Sequence, residues 1–171
     1  MDINRSDIFL RRAVDKGLTK DTEGEILDLK EILKSEPDEL PALFRLGVAY
    51  QNSRLYQESI KLLSKAIEIK TTEKKEAESL SSIESNYTSG IILAQIYFER
   101  AMTYYKNDSL QKAVSDFSFV INNSYREKES YYYRGSSFLK LKMIEKACSD
   151  LRESEQLGML DAKELITKSC K

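Results

Sequence analysis

The side chains able to do chemistry in this chain are few, and they do not gather. There is no histidine among the 171 residues, which removes the commonest general base and the commonest metal ligand. Two cysteines, Cys148 and Cys170, cannot build a tetrahedral zinc site alone. Gly17, Gly24, Gly47, Gly90, Gly135 and Gly158 stand isolated, so no glycine-rich loop is present to cradle a phosphate. With no acid–base pair or activated nucleophile in sight, the chain is not expected to be an enzyme, and no cofactor or metal is expected. What recurs is recognition chemistry. Tyr97, Arg100, Ala101, Tyr104, Leu110, Ala113 and Phe117 reappear as Tyr131, Arg134, Gly135, Phe138, Ile144, Ala147 and Leu151, each pair 34 residues apart.

Self-similarity at that period marks stacked two-helix units, none of which buries its apolar face alone. A third copy runs through Leu43, Leu46, Gly47, Tyr50, Tyr56, Ser59, Leu63 and Ala66, and a weaker fourth through Phe9, Ala13, Leu29 and Ile32. Pro37 closes the weak copy, since a helix must stop there. The expected elements are a first helix bracketed by Ser6 and Gly17 and a second begun by a Thr22–Glu25 capping box. Helices over 38–52, 55–70, 88–106, 109–121, 127–140, 143–155 and 161–169 follow. The organisation read from this is one all-α domain over 1–171. It comprises a degenerate repeat at 6–37, repeats at 40–70, 91–126 and 127–157, an insertion at 71–90 and a capping helix within 158–171. The insertion is either a solvated loop or an extension of its flanking helices into a protruding hairpin.

Small residues should mark the closest helix approaches: Ala13, Gly47, Ala101 and Gly135 on first helices, Ser59, Ala113 and Ala147 on second helices. Arg100, Arg134 and Glu99 are expected to make polar contacts between helices. Leu160, Leu165 and Ile166 should cover the Cys148–Leu151 face. The two cysteines are expected as small buried apolar side chains, with a disulfide the alternative. Lys and Arg number 27 against 28 Asp and Glu, so no net charge argues for nucleic acid or an acidic membrane. The longest apolar run, Gly90–Ile96, is too short to span a bilayer. The N-terminus lacks a signal peptide's basic start and apolar core. A cytoplasmic protein is expected, or an extracytoplasmic one if a leader has been removed.

The stretches Tyr97–Lys106 with Ala113–Phe117, and Tyr131–Leu139 with Ala147–Leu151, resemble the tetratricopeptide repeat family. The resemblance spans about 130 residues in four copies. No Trp opens any unit, Lys16 replaces an aromatic residue, and only the first copy ends in Pro. It implies a right-handed superhelical stack of antiparallel helix pairs acting as an adaptor or co-chaperone. One subtype of the family clamps the acidic C-terminal tail of heat-shock chaperones with Lys, Asn and Arg. Here the matching positions are Phe44, Val48, Glu99, Glu129 and Tyr133, or in the other register Leu10, Val14, Arg45, Gln95 and Glu99, so that partner is not expected.

The same alignment puts Leu10, Val14, Phe44, Val48, Phe98, Met102, Tyr105, Tyr132 and Leu139 on the concave side. An apolar, aromatic stripe of this kind reads as a groove for a peptide or amphipathic helix. Its alternative is packing between adjacent helices or cover from another part of the chain. The expected function is a protein-interaction scaffold whose partner is a protein or peptide. A secretion-type chaperone, similar in length and repeat number, is the alternative.

Overall fold

The computed structural model describes the backbone of residues 5–79 and 92–170 and the side chains of 6–73 and 92–170. The chain forms two compact units, residues 1–96 and 97–171. Helices α1 (Arg5–Leu18), α2 (Thr22–Ser35), α3 (Leu40–Asn52) and α4 (Tyr56–Ser79) lie in the first. Helix α5 (Leu93–Lys106) begins at the end of the first unit. The second holds its remainder with α6 (Leu110–Asn122), α7 (Glu127–Lys140), α8 (Ile144–Gln156) and α9 (Asp161–Ser169). Among the described residues all regular structure is helical, and no helix is long and apolar enough to cross a membrane.

Local chemistry sets the helix limits. Asp21, rather than Thr22, caps α2: its carboxylate accepts from the Gly24 N–H at 3.0 Å, satisfying one of the orphan donors of the first turn. Thr22 is already helical. Pro37 follows the end of α2, and Pro41 sits in the first turn of α3, where its missing N–H costs nothing. Each hairpin turns at a left-handed residue: Lys20, Arg54, Asp108 and Lys142, with φ of 63°, 61°, 56° and 61°. The 34-residue register therefore extends to the turn backbone, even though no glycine occupies it. Helix α4 continues past residue 70 to Ser79, as the helical-extension reading requires. The rest of the 71–90 insertion lies outside the described residues, and α5 starts at Leu93, later than expected.

Packing follows the small positions. Ala13, Ala101, Ser59, Ala113 and Ala147 are fully buried. A Cβ on Gly47 would lie 2.8 Å from the Leu63 Cγ, and one on Gly135 3.0 Å from the Leu151 Cγ and 3.2 Å from the Ala147 carbonyl oxygen. Helices α3 and α4, and α7 and α8, therefore approach as closely as glycine permits. The first unit's core joins Ala13, Leu29, Ile32, Ala42 and Leu46, with Phe9, Leu10, Tyr50 and Leu62 packed on it.

The C-terminal end departs from expectation twice. Ala162 is fully buried and Leu165 and Ile166 half-buried, but Leu160 is 86% exposed and covers nothing. Cys148 and Cys170 are bonded to each other, with Cα atoms 5.6 Å apart. The expectation of two separate apolar side chains is corrected: α9 returns antiparallel to α8 and brings the distant thiols together.

Candidate functional site

Each unit carries part of the apolar stripe. In the first, Leu10 and Val14 lie on α1, and Phe44 and Val48 sit 34 residues on, on α3; all four are half-buried. Leu10 also packs on the core cluster. Beside them Arg45 of α3 reaches Glu25 of α2 at 2.7 Å, and its buried Nε has no partner.

In the second unit Phe98, Met102 and Tyr105 recur at i, i+4 and i+7 along α5, one helical face. Their equivalents on α7 are Tyr132, Ser136 and Leu139. Met102, Tyr105, Tyr132 and Leu139 are half-buried. Phe98 is not available in the same way. It is 3% exposed, edge-on to Phe117 and Tyr125 at 6.0 and 6.1 Å, with the Arg126 guanidinium 4.4 Å over its ring. It is a packing residue beneath the face rather than an anchor on it.

Tyr133 ties the surface to the core. Its ring stacks on Phe117 at 6.0 Å and meets Tyr105 and Tyr132 edge-on at 5.3 and 5.2 Å, the arrangement the ring quadrupole favours. Lys140 lies 4.7 Å over Tyr105. Burial pushes the phenols of Tyr125, Tyr132 and Tyr133 above their ordinary value, and the α9 carboxylate of Asp161 adds to this at Tyr132 and Tyr133. The phenols therefore stay neutral at physiological pH and can donate hydrogen bonds. The repeat alignment put Tyr132 on the concave side but left Tyr133 out of that set, and it passed over Ser136. Ser136 was detectable, because it lies 34 residues after Met102; its hydroxyl is buried without a partner.

A second constellation repeats with the fold. Arg12 donates through Nε to Asp28 at 2.7 Å, with a second guanidinium bond to the same carboxylate, and Lys16 adds a contact at 2.9 Å. Arg100 grips Asp116 at 2.8 and 3.0 Å, and Arg134 grips Asp150 at 2.7 and 2.8 Å. Each pair is 16 residues apart and bidentate, the strongest ion-pair geometry. Arg134 also donates to Ser118 at 2.9 Å, joining α6, α7 and α8. These arginines hold helices together, as expected of Arg100 and Arg134. The aspartates were missed, although Arg-x15-Asp recurs at the repeat spacing. Hydrogen bonds from Arg12, then from Lys16, hold Asp28 below the ordinary carboxylate range against the cost of burial. At Asp116 burial is the larger effect and pushes the carboxyl up against the pull of Arg100.

Among the described residues no group of three or more carboxylates and cysteines is placed to hold a metal ion. The site offers apolar and aromatic contact area and neutral hydroxyls, which is the chemistry of protein recognition.

Residues 40–73 match the family model of the tetratricopeptide repeat. No curated protein sequence matches the chain. Among solved structures it is similar to a MamA protein at 20% identity, covering 92% of this chain and 76% of that one with a TM-score of 0.72. It is likewise similar to MamA 41-end from Desulfovibrio magneticus RS-1 at 14% identity, covering 92% and 78%, TM-score 0.73. A third, MamA AMB-1, matches at 17% identity over 91% and 80%, TM-score 0.71. At these identities the likeness is one of fold. Residues 40–73 thus match a tetratricopeptide repeat, and the fold is shared with these structures over 92% of the chain.

Proposed function

We propose that this chain is a protein-interaction scaffold, without catalytic activity, that holds a helix or peptide on its apolar and aromatic face. The observation that carries the reading is the row Met102, Tyr105, Tyr132 and Leu139, half-exposed and underpinned by Tyr133. Tyrosine offers large, stiff contact area with a polar tip, and methionine adapts to varied shapes. The half-buried Leu10, Val14, Phe44 and Val48 present a smaller, aliphatic version in the first unit. Cytoplasm keeps thiols reduced, so in that setting the Cys148–Cys170 bond would follow the local redox poise.

A photo-crosslinking amino acid placed at Met102 or Tyr132 tests this in cells. The account expects one protein adduct from both positions and none from the exposed positions Lys61 and Ser115, with mass spectrometry naming the partner. A secreted substrate in that adduct would favour the chaperone alternative. Equal labelling from Lys61 and Ser115 would contradict the face assignment.

A further inference from the structure

We propose that the Cys148–Cys170 disulfide is a redox latch: oxidised, it holds α9 over α8, and reduced, it lets α9 swing away. Little else holds this helix. It has nine residues, well short of the 12–15 that a helix needs to persist alone in water. Its N-cap residue, Leu160, gives no side-chain capping bond. Ala162 is its one buried hydrophobe; Leu165 and Ile166 are half-buried, and Leu157 and Leu160, which lead into it, are 42% and 86% exposed. The connection at Gly158 has φ +92° and open space around it. At its other end Cys170 follows directly on Ser169. The helix is thus tethered by a glycine turn at one end and a disulfide at the other. Cutting the disulfide leaves a hinge.

The latch has something to cover. Beneath α9 lies Cys148, 6% exposed, its sulfur 3.9 Å from the Ser169 carbonyl oxygen at the end of α9. On its flank the Asp161 and Glu164 carboxylates lie close enough to Tyr132 for their field to reach its phenol. Release would uncover the Cys148 side of α8 and change the surroundings of Tyr132.

The chemistry needs a dithiol reductant of the thioredoxin or dithiothreitol class. Its thiolate attacks the sulfur of the half-exposed Cys170, the S–S bond breaks, and Cys148 leaves as a thiolate that takes up a proton. The reductant's second thiol then displaces Cys170. Two cysteine thiols and an oxidised dithiol result, with two electrons transferred.

Hydrogen exchange on the full chain, oxidised and then reduced with dithiothreitol, tests the release directly, with Cys170→Ser as a second route to it. The amides of 161–169 should exchange at least tenfold faster in both open forms, while 127–156 keeps its protection. Equal protection of 161–169 in the two redox states overturns the latch. So does loss of protection across 127–156, which would make the bond a staple for the whole fold. The effect on binding rests on the interaction face proposed for α5 and α7. Crosslinking from Tyr132 should rise at least threefold on reduction, while crosslinking from Met102 stays constant. Release with unchanged Tyr132 yield overturns the coupling. Loss of adducts from both positions in both redox states contradicts the interaction face and leaves the exchange result to decide the latch.

Discussion

The second and third helix hairpins solve one packing problem in opposite ways. In the third, Arg100 and Asp116 meet in a bidentate pair with side chains 16% and 6% exposed. The same register in the second holds Leu46, buried in the core, and Leu62, packed against that core. The first hairpin is a third variant: its Arg12 is 52% exposed, so its pair with Asp28 is half in water. A bidentate pair fixes orientation and costs desolvation, whereas an apolar pair packs without that cost. The repeat therefore does not depend on the ion pair for its shape. What the pair adds is visible at Arg134, which also reaches Ser118 and so links successive hairpins; no leucine can do that.

The largest effect should come from halving the buried pair. Asp116→Ala strips the bidentate carboxylate from the buried Arg100 guanidinium, and should cost about 3–5 kcal/mol in chemical denaturation. Replacing both partners, Arg100→Leu with Asp116→Leu, copies the second hairpin and should return stability to within about 1 kcal/mol of the parent, or above it. A double variant as weak as the single one would break the comparison.

Loss of the disulfide comes next. Cys148 and Cys170 are 22 residues apart, and closing a loop of that size constrains the unfolded chain by about 3 kcal/mol. Cys170→Ser should lose less than this in calorimetry, because α9 opens alone; loss of the full amount would mean that α8 and α9 unfold with the rest of the second unit. The glycines follow. A Cβ at Gly47 meets fully buried Leu63 at 2.8 and 2.9 Å, so Gly47→Ala should cost about 1–3 kcal/mol despite alanine's better helix propensity. At Gly135 the tightest contact is 3.0 Å. There crowding and the roughly 1 kcal/mol propensity gain nearly cancel, and Gly135→Ala should lie within about 1 kcal/mol of the parent. Thermal melts of both variants rank them.

The smallest effects are pH-dependent and differ in sign between hairpins. Asp28 is held below its ordinary value by Arg12, so its stabilisation is present above that value and is lost as pH falls through the lower folded one. Asp116 is held above its ordinary value by burial, so its contribution is full below that value and declines as pH rises through the folded one. On acidification the first hairpin should therefore loosen before the third in hydrogen exchange, and Asp28→Asn should remove that difference. Tyr125, Tyr132 and Tyr133, all raised, should make stability fall as pH climbs past 10 through their folded values.

Among the described residues the helices and most of their limits were legible in the sequence, because a 34-residue period constrains every copy at once. Asp21 replaced Thr22 as the cap because both types can cap, and only geometry selects between neighbours. Phe98 shows where periodicity ends. Its position in the repeat put it on the groove, but Phe117, Tyr125 and Arg126, from α6 and the turn after it, close over the ring. Phe98→Glu should consequently unfold the protein rather than silence a folded one. The disulfide stood only as the alternative in the sequence because pairing depends on where α9 lands, which no repeat position encodes.

The most direct test of the account is the affinity of the crosslinked partner for two charge-bearing variants, measured by titration calorimetry. Met102→Glu places a carboxylate on the half-exposed apolar row of α5, and Ser115→Glu places one on an exposed position of α6. The account predicts at least a tenfold loss for Met102→Glu, or about 1.4 kcal/mol, with an unchanged melting temperature, and parental affinity for Ser115→Glu. Parental affinity in Met102→Glu, or an equal loss in both, would contradict it.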